Sequence, residues 1–382
     1  MSRIALVTRA RAPYHKALQE AFAQSLGAAG SLRLFYPKAS FCPFDEEKTI
    51  PRGTNITSEW IDSTRINGGA TAMLARYQSE AIGTQLPSRA LWNALVAYRP
   101  DAVWVHEYSP YTLTAILFAK AHRVPVVVSS DVGRGNRDSF PWVVRLWHRL
   151  WSHLADGIIA CTPAAREPLC GTPVPFVEAY HAADSRVFVP AANGGAHKNG
   201  STNFVFVGRV IPVKGIDLLL AAAARLKQNG RSHWSLKLVG PDSDGYGAAL
   251  IEKFGLKNEV QITGFKEGDA LRREFSDGDA FVIATRQDTY AAVVHEAACL
   301  GLPLIVSQHA GAADALVREG VNGFKIDPAD AELFAGRMAA MCDKQTRERM
   351  AKESRKIGEH FSAHRRGPAV WDWMQQTFAV RA

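Results

Sequence analysis

The sequence predicts two doubly wound α/β domains in tandem, and two observations support that expectation. At 382 residues, of which 47% are hydrophobic, the chain is long enough and apolar enough to fill two cores. Short runs of apolar and β-branched residues also alternate with amphipathic helical patterns, which is typical of parallel sheets covered by helices.

In the N-terminal half, the alternation places strands at Ile4–Thr8, Ala102–His106, Val124–Ser129 and Gly157–Cys161, with helices at Lys16–Leu26 and Thr112–His122. The stretch Ala191–Thr202 then lacks apolar periodicity and is rich in Gly, Asn and Ser, which is typical of a flexible linker. The predicted first domain is therefore residues 1–190, followed by a linker over residues 191–202.

The alternation then restarts and defines a second domain over residues 203–360. Its strands are expected at Phe204–Val207, Leu236–Val239, Val260–Thr263, Phe281–Ala284 and Leu304–Val306, and its helices at Asp217–Lys227, Ala248–Phe254, Asp269–Phe275, Ala291–Leu300 and Ala313–Glu319. A last helix, Pro368–Val380, lies in the C-terminal segment 361–382. Open parallel sheets bind ligands beyond the carboxyl ends of their strands, so two such domains facing across a cleft predict a ligand site there.

Composition narrows the class of protein. The net charge of +8 favours anionic partners such as phosphorylated small molecules, lipid-linked acceptors or a membrane surface, while no nucleic-acid-binding motif accompanies it. The five cysteines are scattered without a CxxC pair, which argues against a disulfide framework or a structural zinc site. The first apolar run is too short for a signal peptide, and no uncharged stretch reaches bilayer-spanning length. These features predict a cytoplasmic protein.

Two cations lie between two glycines after the first strand of the second domain. Gly208 and Gly215 allow close backbone approach, and Arg209 and Lys214 bring positive charge to the strand end, as a diphosphate site requires. The alternative is an ordinary strand-to-helix turn with solvated basic residues.

Two acids separated by seven residues flank the start of a later helix. Asp288 and Glu296 are placed to hold hydroxyls while free amides of the first turn face a phosphate. The alternatives are a helix cap for Asp288 and a partly exposed helix acid for Glu296.

These two stretches occur in one domain and are followed by Gly301-Leu302-Pro303 and by Glu319–Phe324. With this combination the chain resembles the retaining glycosyltransferases of family 4, which have the GT-B fold of two Rossmann-like domains. The resemblance is nearly gap-free from Phe204 to Ala335 and weaker but collinear over the N-terminal half.

The resemblance implies roles for residues of the second domain. Arg209 and Lys214 match the pair that neutralises the donor diphosphate, and Glu296 matches the acid that holds the nucleotide ribose. Asp288 stands where the family usually has a glutamate that contacts the transferred sugar, and Ala291 stands where glycine is usual. The remaining donor-binding positions are the strand end Gly264 and Phe265, which resembles the loop that receives the base, and the helix amides around Ala291, Ala292 and Val293.

In the first domain, the resemblance is less direct. Asp131 lies where many relatives carry a histidine, and is either a group that accepts the acceptor's proton or a turn aspartate. His106 and Glu107 resemble a loop that approaches the acceptor, and Arg9 either contacts an anion or lies in a solvated loop. His181 begins a partial match to a family motif before the crossover to the second domain.

The expected activity is transfer of a sugar from a nucleoside diphosphate sugar to a hydroxyl of a glycan or lipid-linked acceptor, in bacterial polysaccharide or lipid-linked glycan synthesis. No cofactor or metal ion is expected, because Arg209, Lys214 and the helix amides offset the diphosphate charge. The alternatives are a sugar-nucleotide epimerase of the same fold and a non-catalytic nucleotide-sugar-binding protein.

The segment Phe140–Trp151 mixes tryptophans with cations. Trp147 and Trp151 share one helix face and are expected to pack on the core. Contact with a membrane surface, and hence peripheral membrane association, is the alternative.

Overall fold

The computed structural model describes residues 2–9, 11–38, 46–66, 84–169, 171, 173–190 and 201–380. The chain divides into two compact units, the first formed by Met1–Ala182 together with Ala363–Ala382 and the second by Ala183–Ser362. Residues 191–200 of the predicted linker lie outside the described residues, and Thr202 belongs to a strand.

Strands and helices alternate along most of the described chain. The strands are β1 Arg3–Val7, β2 Ser31–Pro37, β3 Ile56–Ile61, β4 Arg65–Ile66, β5 Thr84–Gln85, β6 Ala102–His106, β7 Val126–Ser130, β8 Gly157–Ala160, β9 Phe176–Glu178, β10 Thr202–Val207, β11 Trp234–Val239, β12 Val260–Gly264, β13 Ala280–Ile283, β14 Leu304–Ser307 and β15 Gly323–Ile326. The α-helices are α1 Pro13–Ser25, α2 Glu46–Thr49, α3 Arg89–Tyr98, α4 Pro110–His122, α5 Trp142–Ser152, α6 Ile216–Gln228, α7 Tyr246–Lys253, α8 Gly268–Ser276, α9 Ala292–Cys299, α10 Ala312–Leu316, α11 Ala331–Met341, α12 Lys344–His360 and α13 Ala363–Phe378.

The first unit is built on a seven-stranded sheet in the order β3-β2-β1-β6-β7-β8-β9, with parallel pairing throughout. Successive residues of β1 enter opposite cores, because side chains alternate between the faces of a strand. Ala5 and Val7 pack with α3 and α4 on one face, and Ile4 and Leu6 pack with α1 and α13 on the other. The strand order reverses between β1 and β6, which makes their carboxyl ends the switch point where such sheets bind ligands.

The second unit is built on a six-stranded parallel sheet in the order β12-β11-β10-β13-β14-β15. Its order reverses between β10 and β13, so this unit has a switch point of its own. Gly215 lies at the entry to α6 with a φ of 67°, and a Cβ there would lie 1.9 Å from the carbonyl oxygen of Ala284. Only glycine fits between these two segments, and its presence brings the β10 loop against the end of β13.

Helix α5 has one face on the core and one face in solvent. Trp147 and Trp151 pack against the core of the first unit, as expected, and the indole of Trp147 donates a hydrogen bond of 3.0 Å to the carbonyl oxygen of Tyr108. The opposite face exposes four large apolar side chains, those of Trp142, Val143, Leu146 and Leu150. No helix within the described ranges is both long and apolar enough to cross a bilayer.

Candidate active site

In the second unit, the carboxyl ends of three neighbouring strands meet through glycines. A Cβ on Gly240, after β11, would lie 1.9 Å from the carbonyl oxygen of Gly208, after β10, so the two backbones touch. Gly240 also forms an isolated bridge with Gly264 at the end of β12. Arg209 follows Gly208 and is exposed, with no ion pair to the described residues. The three strand ends thus lie close together, with the cationic side chain of Arg209 at the same edge of the sheet.

Lys214 and Asp288 are brought together although 74 residues separate them. Lys214 Nζ lies 2.5 Å from Asp288 Oδ2, and Asp288 Oδ1 accepts hydrogen bonds from the amides of Ala291, at 2.7 Å, and Tyr290, at 3.2 Å. Asp288 therefore orders the turn that enters α9 and holds the ammonium group of Lys214 beside it.

The first turn of α9 provides backbone donors next to this pair. Ala291 precedes the helix with a φ of 67°, a left-handed conformation that glycine adopts without strain and alanine adopts at a cost of about 1 kcal/mol. The amides of Ala292 and Val293 follow, and amides in a first turn have no intrahelical acceptor. Together with Lys214 they make a site suited to an anion.

Glu296 lies one turn further along α9. Glu296 is half-buried, its carboxyl forms no hydrogen bond or ion pair with the described residues, and burial raises the pKa of that carboxyl to about 7. A carboxyl held without a partner in a poorly hydrated position is suited to accept hydrogen bonds from the hydroxyls of a ligand.

The end of β12 carries the two residues expected at the base-binding loop. Gly264 has a φ of 75°, which turns the chain at the strand end, and Phe265 after it is 69% exposed. The hydroxyl of Thr263 is buried and forms no hydrogen bond to the part of the chain that the structure describes. The loop thus presents backbone groups and an open aromatic face.

In the first unit, Asp131 follows β7 and faces His181, which lies beyond β9. Asp131 Oδ1 is 2.7 Å from His181 Nε2, and the His181 side chain is only 7% exposed. Burial alone would raise the pKa of the Asp131 carboxyl, but the charge of His181 and its hydrogen bond outweigh burial and hold that pKa below its usual value. The aspartate thus remains a carboxylate, which is the form that accepts a proton.

Two further buried histidines pack around this pair. The ring of His15 contacts that of His106, with centroids 4.2 Å apart, and lies 5.5 Å from that of His181. Burial lowers the pKa of both His15 and His106, so both imidazoles are neutral near pH 7. Cys161 follows β8 and completes this cluster, and burial raises the pKa of its thiol, which stays protonated.

Arg9 and Glu107 lie at the same edge. Their side chains approach to 3.9 Å, and Glu107 adopts a φ of 60° directly after β6. A left-handed conformation in a residue other than glycine is strained, and such strain concentrates at functional sites. The structure therefore places Arg9, His106, Glu107 and Asp131 together at the switch point of the first unit.

Sequence reasoning missed two members of this edge, His15 and Cys161, and gave His181 no defined role. His15 lies on a helix and Cys161 directly after a strand, in stretches that predict only secondary structure. They reach Asp131 because the strand order places the ends of β1, β6, β7 and β8 side by side. No local spacing in the sequence carries that signal.

Two family models match the chain. Residues 192–357 match the model for glycosyl transferases group 1, and residues 67–179 match the model for a glycosyl transferase 4-like domain. The first match contains every second-unit residue of the candidate site.

Curated relatives are distant in sequence. The chain is 24% identical over 359 residues to a sulfoquinovosyl transferase of Arabidopsis thaliana, covering 88% of this chain and 66% of that protein. It is 28% identical over 280 residues to a GDP-mannose-dependent alpha-mannosyltransferase of Mycobacterium tuberculosis, covering 69% of this chain and 70% of that protein.

Solved structures share the fold over almost the whole chain. A glycosyltransferase from Rickettsia africae superposes with a TM-score of 0.71 at 14% identity, covering 99% of this chain and 98% of that one. An Anabaena protein in complex with UDP superposes with a TM-score of 0.70 at 17% identity, covering 99% and 100%. At these identities the likeness concerns the fold.

Proposed function

Because the chain belongs to the family 4 glycosyltransferases and has their GT-B fold, we propose that it transfers a sugar from a nucleoside diphosphate sugar to an acceptor hydroxyl, with retention at the anomeric carbon. One observation carries the proposal: Lys214, Asp288 and the first turn of α9 converge at the switch point of the second unit. This arrangement places the Lys214 ammonium and backbone donors where a diphosphate would lie, and the diphosphate would replace Asp288 as the partner of Lys214.

The departing nucleoside diphosphate gains negative charge as the bond to the sugar breaks. Lys214, Arg209 and the amides of Ala292 and Val293 would stabilise that charge, and donors that are fixed before the reaction need no reorganisation during it. The same groups offset the charge of the diphosphate, so we propose that the reaction needs no metal ion for that purpose. Transfer should then persist in the presence of EDTA.

Glu296 is proposed to hold the ribose of the nucleotide. Its carboxyl has no partner among the described residues and lies one turn beyond the amides proposed to bind the phosphates. Asp288 is proposed to contact the transferred sugar through Oδ2, which Lys214 would release on binding the diphosphate, while Oδ1 keeps its two amide hydrogen bonds. Gly264 and Phe265 are proposed to receive the base.

Asp131 is proposed to accept the proton of the acceptor hydroxyl. Its pairing with His181 keeps it ionised, and an ionised carboxylate within hydrogen-bonding reach of a hydroxyl can orient it and take its proton. His106, Glu107 and Arg9 lie at the same edge and are proposed to contact the acceptor.

A panel of nucleoside diphosphate sugars tests the activity directly. We expect one of them to raise the melting temperature and to be consumed faster when acceptor glycans or lipid-linked glycans are added, and the product's anomeric configuration, read by NMR, to match that of the donor. Release of an isomerised sugar without an acceptor would identify an epimerase, and a thermal shift without turnover would identify a binding protein.

Arg209→Ala and Lys214→Ala test the diphosphate site. Each removes a charge-assisted contact, for which a loss of about 1.5–3 kcal/mol is typical, so we expect the affinity for the cognate nucleoside diphosphate to fall by about tenfold or more. Lys227→Ala is the matched control, because Lys227 lies at the other end of α6 and pairs with Glu259. Calorimetric titration with unchanged affinity in both test variants would refute the assignment.

The acceptor is further proposed to be lipid-linked and reached at an anionic membrane surface through α5. Its exposed face presents Trp142 and Leu146, which are 63% and 48% exposed, and Arg149 is exposed on the same helix, whereas Arg145 pairs with Asp138 at 3.0 Å. A helix with apolar and cationic exposed side chains binds the interface of anionic membranes.

Vesicle flotation tests this surface. The protein should float with vesicles that contain phosphatidylglycerol and not with pure phosphatidylcholine vesicles, and Leu146→Gln should weaken flotation. Leu117→Gln, on the exposed face of α4, is the matched control because Leu117 is 45% exposed. Equal flotation by both variants and the parent would argue against α5 as the contact.

A further inference from the structure

Three potential metal ligands converge in the first unit from the ends of three neighbouring strands. Asp131 follows β7, Cys161 follows β8 and His181 follows β9, and their ligand atoms all lie within 4.8 Å of one another. Cys161 and His181 are 3% and 7% exposed, and the Asp131 side chain is 17% exposed. Such a set lies inside the protein and not on an acidic surface.

A small cavity of about 10 Å³ adjoins this set. His15, His106, Cys161 and His181 are among the residues that line it, and a space of that size holds a single atom or water. His15 is 9% exposed, and neither of its ring nitrogens has a hydrogen-bond partner among the described residues. A buried polar group without a partner costs about 1–3 kcal/mol, so the cavity calls for an occupant that binds the imidazole.

The chemistry of the cavity lining and of Asp131 beside it distinguishes between occupants. Imidazole nitrogen, cysteine sulfur and carboxylate oxygen are the ligands of zinc, and His15 and His106, which line the cavity, are the candidates for the fourth ligand that a tetrahedral site needs. When the ion binds, the Cys161 thiol gives up its proton to solvent, and the resulting thiolate and the Asp131 carboxylate together carry two negative charges, which neutralise a divalent ion and offset the penalty of burying it. Zinc–ligand bonds of about 2.0–2.3 Å separate tetrahedral ligand atoms by about 3.2–3.8 Å. Asp131 Oδ1 and His181 Nε2, which are 2.7 Å apart, would therefore exchange their mutual contact for the ion and move slightly apart, while ligand atoms at the 4.8 Å limit would move closer.

We propose that this cluster binds one zinc-class transition-metal ion through Asp131, Cys161 and His181, with His15 or His106 as the fourth ligand. The site is built from the first unit alone. It goes beyond the transfer reaction, and it is distinct from any ion at the donor diphosphate, because the groups proposed to bind that diphosphate belong to the second unit. The ion and the acceptor hydroxyl would compete for the Asp131 carboxylate, so bound zinc should slow transfer and removal of the ion should restore it.

Metal binding is measured on the full-length chain after dialysis against a chelator. Calorimetric titration with Zn²⁺ should give one ion per chain, and Co²⁺ should produce the thiolate-to-cobalt charge-transfer band that reports a cysteine ligand. No uptake of either ion by the folded protein would overturn the proposal.

Cys161→Ser should abolish the charge-transfer band and weaken Zn²⁺ binding by about 100-fold or more, beyond the loss that follows from removal of an outer-shell partner. Cys299→Ser is the matched control, because Cys299 is also a buried free cysteine and lies in the second unit. A band that survives Cys161→Ser, or one that disappears equally in Cys299→Ser, would exclude this cluster as the site.

His15→Gln provides a second variant in case Cys161→Ser does not fold. It should weaken Zn²⁺ binding by about tenfold or more if His15 is the fourth ligand or supports it, and melting curves verify that the variant is folded. His148→Gln is its control, because His148 is a buried histidine outside the cavity lined by His15. If His15→Gln and His106→Gln both bind zinc as the parent does, the proposed coordination is wrong.

Discussion

At the scale of single residues, the pair formed by Asp131 and His181 allows the proposed acceptor site of the first unit to be tested. We expect Asp131→Asn to reduce transfer by about 10²-fold or more while leaving donor affinity near the parental value, because general base catalysis is typically worth that much and the diphosphate contacts belong to the second unit. Initial rates of transfer and calorimetric titration with the donor nucleotide provide the two measurements.

The control for that variant is Asp138→Asn, which removes the same charge from an exposed position in the next turn. If Asp131→Asn transfers sugar at the parental rate with only a lower melting temperature, Asp131 is a structural aspartate. The acceptor's proton would then leave by another route, for which a donor phosphate oxygen is available.

Glu296 gives a prediction about pH. Its folded-state pKa of about 7 lies above the ordinary value of 4.5, so the contribution of Glu296 to stability is fully present below about pH 4.5 and is lost as the pH rises through about 7. Glu296→Gln should therefore raise the free energy of unfolding by about 1–3 kcal/mol near pH 8 and change it little near pH 4. Denaturant unfolding at the two pH values tests the difference.

Ionisation of the Glu296 carboxyl, which lowers the stability of the folded protein, should strengthen the binding of the nucleotide. If the carboxylate accepts hydrogen bonds from ribose hydroxyls, nucleotide affinity should rise by up to about tenfold between pH 6 and pH 8, because the ionised fraction rises by that factor. Glu296→Gln should lower the affinity and flatten this dependence, whereas parental affinity and an unchanged pH profile would make Glu296 an ordinary helix acid.

At the scale of elements, the contact between α1 and α13 depends on one glycine. A Cβ at Gly367 would lie 2.5 Å from the amide nitrogen of Phe22, closer than packed atoms allow. We expect Gly367→Ala to destabilise the first unit by about 1–3 kcal/mol through overpacking. Eight of the nine tryptophans lie in this unit, so tryptophan fluorescence during denaturant unfolding reports on it.

The matched control is Gly336→Ala in α11, where a Cβ would meet nothing within 4 Å. That change should stabilise the second unit by about 0.5–1 kcal/mol, since alanine is the better helix former. If the two substitutions changed stability equally, the packing of α13 against α1 would not depend on the absence of a Cβ at Gly367.

The elements that sequence reasoning located share one property, a clear apolar pattern. The predicted strand Phe281–Ala284 corresponds to Ala280–Ile283, and the predicted helix Asp217–Lys227 to Ile216–Gln228. Sequence reasoning did not locate β2, β3, β9, β15, α3, α11 or α12. Of these, β2 and α3 have well-buried apolar residues, so an apolar pattern was necessary for a prediction but not sufficient. The edge strand β3 is half-exposed, and α12 is dominated by charged residues, so neither has a strong apolar repeat.

The candidate site was predictable where its residues cluster along the chain. Lys214, Asp288 and Glu296 were identified because the glycines, cations and acids around them resemble the pattern of the family 4 glycosyltransferases. The spacing of residues along the chain does not predict the ion pair between Lys214 and Asp288 or the contact between Asp131 and His181. Each of these contacts joins segments that only the strand order brings together. The left-handed Ala291 was equally hidden, since alanine gives no sign of a positive φ.

At the scale of the whole molecule, each unit contains its own sheet and its own switch point. The residues proposed to bind the donor belong to the second unit, and those proposed to contact the acceptor belong to the first. Substitutions of donor-binding residues should therefore leave acceptor binding largely intact, and substitutions of acceptor-binding residues should leave donor binding largely intact. The measurements on Arg209 or Lys214 and on Asp131 therefore test the two units separately.

The return of α13 to the first unit has a consequence for synthesis. The ribosome releases the first 182 residues before the second unit, but the core against α1 lacks Val370, Trp371 and Met374 until the last helix emerges. Residues 183–362 are contiguous and can fold as soon as they are made, whereas the unit that is translated first is completed last. In the interval, the apolar face of α1 is exposed on the nascent chain, which makes it a natural binding surface for chaperones during translation.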